Sequence, residues 1–218
     1  MRINVGCGQT PVTGWRNFDN SFSIFLSKIP ILPKLLYSLK FLNNSQYQMI
    51  LFAKSNHIER GDVTKGLPLK TGSVEVLYSS HMLEHLDPTE AKLFMKEARR
   101  VLQPSGIFRL AVPDIKKQVK NYMKKGDADS FVFETLLTQS RPNTFVEIIN
   151  MLFIGPRNHL WMYDGNSLTQ LLKNNGFVNV KIVPPGKTRI PNPKPLNLSE
   201  RATESVFVEA ANPPITKK

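Results

Sequence analysis

A histidine, a glutamate and a second histidine stand close together in the segment SSHMLEHL (79–86). His81-x-x-Glu84-His85 offers zinc-ligand side chains at the spacing of an inverted zinc-protease motif. Such a site needs both histidines one turn apart on a stable helix, with a third ligand elsewhere. Here a strand-like apolar run precedes His81, and Asp87 begins a new helix soon after His85. The context therefore argues against a zinc protease.

The elements around this motif alternate between strands and helices. The predicted strands are RINVG (2–6), GWRNFDN (14–20), HIERGDV (57–63), VEVLYSS (74–80), GIFRLAVPD (106–114), VNVKIV (178–183) and ESVFVEA (204–210). Helices are predicted over 87–106 and 166–177, and a Pro-rich surface loop is predicted between the last two strands. This alternation predicts a three-layer α/β fold with a mostly parallel sheet.

The first of these helices has the clearest boundaries. Asp87 is a good N-cap, Pro88 suits the first helical position, and Glu90 completes a capping box. Apolar residues then repeat at helical spacing until Pro104 and Gly106 end the pattern. This helix is therefore expected to pack one face against the sheet.

Glycines and acids fall where the first predicted strands end, and such ends form the ligand crevice of an open α/β sheet. Gly6 and Gly8 form a G-x-G turn, but Pro11 stands where a pyrophosphate-binding motif has its third glycine. Asp19 follows after about ten residues, too soon for a dinucleotide-binding helix. A nucleoside without phosphates fits better, with Asp19 on a ribose diol and Asp62 on an adenine amine.

Six stretches carry a family resemblance: INVGCG, GWRNFD, GDVTKGLPLKTGSVEVLYSSHMLEHL, EARRVLQPSGIFRLAVPD, HLWMYDGNSLTQLLKNNGF and ESVFVEA. With them the chain resembles class I S-adenosylmethionine-dependent methyltransferases of type 11, a group often associated with bacterial glycan and cell-envelope biosynthesis. The resemblance implies a Rossmann-like seven-stranded sheet of order 3-2-1-4-5-7-6, strand 7 antiparallel. It implies S-adenosylmethionine as cofactor, S-adenosylhomocysteine as product, and cofactor contacts at Gly6, Cys7, Gly8, Asp19, Asp62, Val63, Ser79, Ser80 and His81.

This resemblance suggests a catalytic role for the motif His81-x-x-Glu84-His85 that needs no metal. A methyl acceptor with a hydroxyl must lose a proton, and neutral histidine accepts protons near pH 7, so His81 is our candidate general base. The alternative is that His81 only packs on the cofactor or bonds to backbone. Some similar methyltransferases hold a magnesium-type ion at Glu-x-x-Glu-His, but His81 replaces the first Glu here. We therefore expect no metal, and we expect Glu84 and His85 in the turn before the next helix.

The acceptor is expected to bind at the segments that share no motif with the family. We expect one domain (1–218), with a helical insertion at about 21–57 and a variable substrate-facing segment at about 115–160. The candidate substrate residues are Asp114, His159 and Tyr163. For Asp114 the alternative is a turn cap, and for Tyr163 it is packing.

Composition limits the partners of the protein. The single cysteine excludes an internal disulfide, and no uninterrupted run of 18 apolar residues marks a membrane span. We therefore expect a cytoplasmic enzyme, with an oligomeric state that the sequence leaves open. A net charge of +12 favours an anionic partner. The first hypothesis is a small-molecule acceptor, namely a sugar or envelope-precursor hydroxyl, as in polysaccharide biosynthesis. The alternatives are an RNA methyltransferase and a non-catalytic protein at a membrane surface.

Overall fold

A computed structural model describes residues 1–138 and 158–214. The described residues form one seven-stranded sheet of order β3-β2-β1-β4-β5-β7-β6. The strands are β1 (Arg2–Val5), β2 (Arg16–Asp19), β3 (Glu59–Arg60), β4 (Val74–Ser80), β5 (Leu102–Pro113), β6 (Val178–Val183) and β7 (Ser205–Ala211). The first five strands pair in parallel, and β7 is antiparallel to both β5 and β6. The predicted strand order and the direction of strand 7 are confirmed.

Seven α-helices occur in the described residues. They are α1 (Phe22–Ser27), α2 (Leu32–Ser38), α3 (Asn44–Ser55), α4 (Pro88–Val101), α5 (Ile115–Lys125), α6 (Ala128–Thr135) and α7 (Gly165–Asn174). Helices α1 to α3 lie between β2 and β3. Residues 6–15, all of them described, form turns without a helix between β1 and β2.

Helix α4 begins as predicted and ends earlier. Asp87 accepts hydrogen bonds from the backbone N–H groups of Thr89 and Glu90, and the Glu90 side chain bonds back to Asp87 N. The helix ends at Val101, and β5 starts at Leu102 rather than at residue 106. The prediction was wrong there because the extended segment before Gly106 pairs irregularly with β4 instead of continuing the helix.

One face of the sheet is covered by helices. Helices α4 and α7 bury Phe94, Ala98, Leu168 and Leu172 against a single large apolar cluster that spans β1, β2, β4, β5 and β7. The ring of Phe94 meets that of Phe108 edge-on at 5.5 Å between centroids. The 3.6-residue apolar repeat of α4 therefore matches the face that it buries.

Part of the opposite face is covered by residues 184–204, called the strap here. The sequence predicted a Pro-rich surface loop, but Ile190 and Leu196 of the strap are buried against Trp15 and Tyr78. The loop prediction is confirmed, because residues 184–204 have no regular secondary structure and most of them are exposed. The packing of these two apolar side chains was not predicted, because prolines exclude regular structure without excluding apolar packing. The strap thus supplies part of the cover over β1, β4 and β5 on this face.

A buried ion pair joins the strap to the sheet. Arg109 on β5 lies opposite Glu209 on β7, both side chains are fully buried, and the Arg109 Nη1–Glu209 Oε1 distance is 2.6 Å. The Arg109 guanidinium also donates to the carbonyl oxygens of Lys187 and Leu198 in the strap. Glu209 accepts from the hydroxyl of Thr188 and from backbone N–H of the strap.

The segment after β5 is described only in part. Helices α5 and α6 lie within the predicted variable segment, whereas the apolar stretch FVEIINMLFIG (145–155) is outside the described residues. Within residues 1–138 and 158–214, no helix has the length and apolar character needed to cross a membrane.

Candidate active site

The predicted cofactor residues lie at adjacent strand ends. Val5, the last residue of β1, pairs with Phe18 of β2 on one side and with Ser79 of β4 on the other. The residues that follow these three positions therefore emerge at one edge of the sheet. The backbone N–H of Gly61 donates to the carbonyl of Asp19, which brings the loop after β3 to the same edge.

The turn after β1 depends on glycine and on Asp19. Gly6 has a φ of +67°, and a Cβ built on it would overlap the side chain of Met82. The carboxylate of Asp19 accepts from Gly8 N at 2.9 Å and from Ser21 N at 2.8 Å. Because a carboxylate has about four acceptor positions, half-exposed Asp19 keeps capacity for two further donors.

Cys7 is buried within this turn. Burial, and then the charge of Asp19, raise the pKa of the Cys7 thiol to about 12. Because the thiolate is the nucleophilic form, Cys7 is chemically inert near neutral pH. This agrees with a small packing residue in the loop rather than a catalytic nucleophile.

Asp62 and Val63 turn in different directions after β3. Val63 is buried in the large apolar cluster. Asp62 is half-buried, and its carboxylate accepts from the N–H and hydroxyl of Thr64 and lies 3.1 Å from Lys65 Nζ. Burial raises the pKa of Asp62, but the Thr64 hydrogen bonds and the Lys65 charge outweigh it, so the net pKa is lowered. Asp62 is thus an ionised acceptor on the wall of an open depression of about 960 Å³.

The residues at the end of β4 and directly after it are less accessible than the sequence implies. Ser79 is buried, and its hydroxyl bonds to none of the described residues. His81 Nε2 lies 2.7 Å from the Ser205 hydroxyl, and His81 Nδ1 lies 3.3 Å from Glu84 Oε1. Both ring nitrogens of His81 therefore face protein groups. A role of His81 as general base stays a prediction, and it requires the ring or Ser205 to move.

The structure separates the roles of the predicted substrate residues. Asp114 caps α5 by accepting from Lys116 N, and its backbone pairs with that of Tyr163. Tyr163 is buried, and burial followed by the charge of Glu84 raises its pKa to about 12. His159 is buried beside Glu84. Burial lowers the pKa of His159, partly offset by that carboxylate.

Two side-chain contacts in and near the site were not predicted from the sequence. Ser205 begins β7, far from His81 in sequence, so only the sheet topology reveals their hydrogen bond. The pairing of Arg109 with Glu209 could have been predicted, because each of these charged residues interrupts an otherwise apolar strand. The two strands are GIFRLAV and SVFVEAA. Opposite charges on adjacent antiparallel strands indicate a buried pair.

These features fit S-adenosylmethionine. The edge combines a glycine turn that tolerates no side chain at Gly6, a half-exposed carboxylate at Asp19, and an unpaired buried hydroxyl at Ser79. The fold and edge together define the class I methyltransferase architecture.

Comparison with known proteins identifies the family. Residues 3–110 match the family model described as a methyltransferase domain, of type 11. The chain belongs to the class I S-adenosylmethionine-dependent methyltransferases, type 11-like, and its cofactor is S-adenosylmethionine. A search of the curated proteins finds no match to the sequence.

Solved structures share this fold. An S-adenosylmethionine-dependent methyltransferase of Methanosarcina mazei is 16% identical with a TM-score of 0.52, covering 97% of this chain and 92% of that one. One of Thermotoga maritima is 14% identical with a TM-score of 0.50, covering 96% and 80%. At these identities the likeness concerns the fold alone.

Proposed function

We propose that the protein transfers the methyl group of S-adenosylmethionine to an anionic small-molecule acceptor. A hydroxyl of a sugar or of an envelope precursor is the first candidate, supported by the resemblance to glycan-associated methyltransferases. Bound S-adenosylmethionine supplies an electrophilic methyl group. The chain's own task is to bind the cofactor, align the acceptor and exclude water, because positioning contributes much of the rate in displacement reactions.

Roles follow for the residues of the sheet edge. Gly6, Cys7 and Gly8 would let backbone approach the cofactor, and Asp19 would accept from its ribose hydroxyls. Asp62 and Val63 would contact the adenine. Ser79, Ser80 and His81 would line the reacting end, with His81 as base for a hydroxyl acceptor. Asp114, His159 and Tyr163 would face or support the acceptor side.

One observation supports an anionic acceptor in particular. Helix α5 starts directly after β5, at the carboxyl edge of the sheet, and carries exposed Lys116, Lys120 and Lys124 at four-residue spacing. Side chains four residues apart share one helix face. This lysine stripe gives the edge a positive flank that attracts a phosphate-bearing acceptor.

The test measures transfer of labelled methyl from S-adenosylmethionine to nucleotide-sugars, phosphorylated sugars and neutral sugars. The triple change of Lys116, Lys120 and Lys124 to Ala is expected to reduce transfer to anionic acceptors at least about tenfold without changing cofactor affinity. Matched changes of Lys92 and Lys96 on α4 leave transfer unchanged. Equal transfer to neutral sugars, or transfer only to RNA with strong salt dependence, would contradict the proposal.

A second candidate function, contact with an anionic membrane surface, is favoured by the residues that flank helix α2. Ile31, Leu39 and Phe41 are 81%, 57% and 63% exposed, beside exposed lysines at 28, 34 and 40. Apolar side chains flanked by lysines are typical of interfacial segments. Flotation with phosphatidylserine vesicles should retain the wild type and release a variant with Ile31, Leu39 and Phe41 changed to Ser. Equal flotation of both would remove this candidate.

A further inference from the structure

Three of the four histidines in the chain gather around one buried carboxylate. Glu84 Oε1 lies 3.3 Å from His81 Nδ1 and 3.9 Å from His159 Nε2. The ring of His85 meets that of His159 edge-on, at 5.2 Å between centroids. The fourth histidine, His57, is exposed elsewhere. The gathering joins two segments more than 70 residues apart, so it is a product of the fold.

The carboxylate of Glu84 lacks an ordinary partner. Its side chain is 1% exposed, and within the described residues neither oxygen accepts a hydrogen bond or lies in an ion pair with lysine or arginine. A buried carboxylate is costly unless cationic partners or a metal compensate its charge. The groups facing it are imidazoles and Tyr163, and none of them carries the permanent positive charge of a lysine or an arginine.

Glu84, His85 and His159 together have the geometry of a ligand set. One ligand atom from each residue lies within 4.8 Å of the other two. Zinc ligands at bond lengths of about 2.0–2.1 Å stand about 3.3 Å apart in a tetrahedral site. Small side-chain rotations would therefore bring these atoms to bonding distance around one ion.

Outer contacts orient the same residues. His85 Nδ1 lies 3.1 Å from the carbonyl oxygen of Asn158, so it donates there and leaves Nε2 as the ligand atom. The backbone N–H groups of Leu160 and Trp161 both donate to the carbonyl oxygen of Glu84. These bonds hold the segment that carries His159 against the turn that carries Glu84 and His85. A carbonyl acceptor behind a ligating histidine is a usual feature of metal sites.

We propose that Glu84, His85 and His159 form a binding site for a divalent cation of the zinc class. Two imidazoles and one carboxylate suit Zn²⁺ and its transition-metal neighbours better than Mg²⁺, which prefers oxygen ligands. Three protein ligands leave one coordination position for water or for an oxygen of the acceptor. The site does not depend on the proposed acceptor, because metal binding can be measured without turnover.

This site departs from the sequence-based expectation of no metal. That expectation compared the motif with a protease helix and with a magnesium site that uses residue 81. In the structure Leu83–His85 form a short 3-10 turn, as the argument against a protease requires. The third ligand, His159, comes from a segment that no local spacing connects to the motif.

The test is zinc content and affinity of the full-length protein. After dialysis against Zn²⁺ and then metal-free buffer, wild type and His57→Gln are expected to retain one zinc per chain. His85→Gln and His159→Gln are expected to bind at least about tenfold more weakly. Cobalt substitution should give the intense visible absorption of a four-coordinate ion in wild type and His57→Gln, but not in His85→Gln or His159→Gln.

A second measurement uses the wild type alone, so it does not depend on whether the variants fold. Thermal unfolding of the wild type should shift upward with Zn²⁺, return with a chelator, and be unaffected by Mg²⁺, because an ion that binds only the folded state stabilises it. No stoichiometric zinc in wild type, or equal binding by the His85 and His159 variants, would overturn the proposal. Stabilisation by Mg²⁺ alone would overturn its metal class.

Discussion

One face of the sheet is covered by helices α4 and α7, whereas the part of the other face over β1, β4 and β5 is covered by the strap, which has no regular secondary structure. A helix satisfies its own backbone hydrogen bonds, so the face beneath it can be purely apolar. An irregular strap brings backbone carbonyls that need donors when they approach a core. The carbonyl oxygens of Lys187 and Leu198 accept hydrogen bonds from Arg109. Those of Pro191 and Asn192 accept hydrogen bonds from Arg2. Arg109 and Arg2 are therefore needed beneath the strap, because a chain without helical hydrogen bonds leaves carbonyl oxygens that require donors.

The largest expected effect tests the difference between the two faces by removing Arg109 from beneath the strap. In Arg109→Met, Glu209 stays buried without its cation and two strap carbonyls lose their donors. We expect a loss of about 3–5 kcal/mol in the free energy of unfolding by urea. The matched control is Arg16→Met, which removes a half-exposed pair with Glu59 and should cost at most about 1 kcal/mol. Equal costs would contradict a structural role of the buried pair.

A smaller effect distinguishes the apolar packing of the two faces. Phe94→Ala on the helix-covered face should cost about 3–5 kcal/mol, because the framework around the cavity is rigid. Ile190→Ala in the strap should cost nearer to about 2 kcal/mol, because irregular chain can collapse into the space. Both values come from urea unfolding. A larger loss for Ile190→Ala would mean that the strap is as rigid as the helices.

The smallest effect concerns acid stability under the strap. Burial raises the pKa of Glu209, but hydrogen bonds from Thr188, Arg189 and Arg109, with the Arg109 charge, outweigh it and lower the net pKa. A lowered folded-state pKa stabilises the protein above the unfolded value, near 4.3, and this stabilisation is lost as the pH falls through the folded value. Urea midpoints measured from pH 7 to pH 3 should therefore fall less steeply for Glu209→Gln. Parallel profiles would contradict the assignment.

The positions and ends of the strands were predictable from sequence because apolar runs and the glycines or acids that follow them are local signals. The strand order came from the family resemblance, because local signals do not determine which strands are neighbours. The capping box at Asp87 likewise fixed the start of α4. Contacts such as His81–Ser205 and Glu84–His159 were not predictable, because they join segments that meet only through the sheet. The strap was correctly predicted as a loop from its proline content. Its packing through Ile190 and Leu196 was not predicted, because proline content reports on regular structure and not on burial.

The central claim is that the edge formed by β1, β2 and β4 binds S-adenosylmethionine. Calorimetric titration of wild type, Asp19→Asn and the control Asp129→Asn tests it most directly, since Asp129 is an exposed acid on α6. We expect S-adenosylmethionine and S-adenosylhomocysteine to bind wild type and the control equally. Binding to Asp19→Asn should be at least about tenfold weaker, or about 1.4 kcal/mol. Failure of the folded wild type to bind either compound, or equal binding by all three proteins, would contradict the claim.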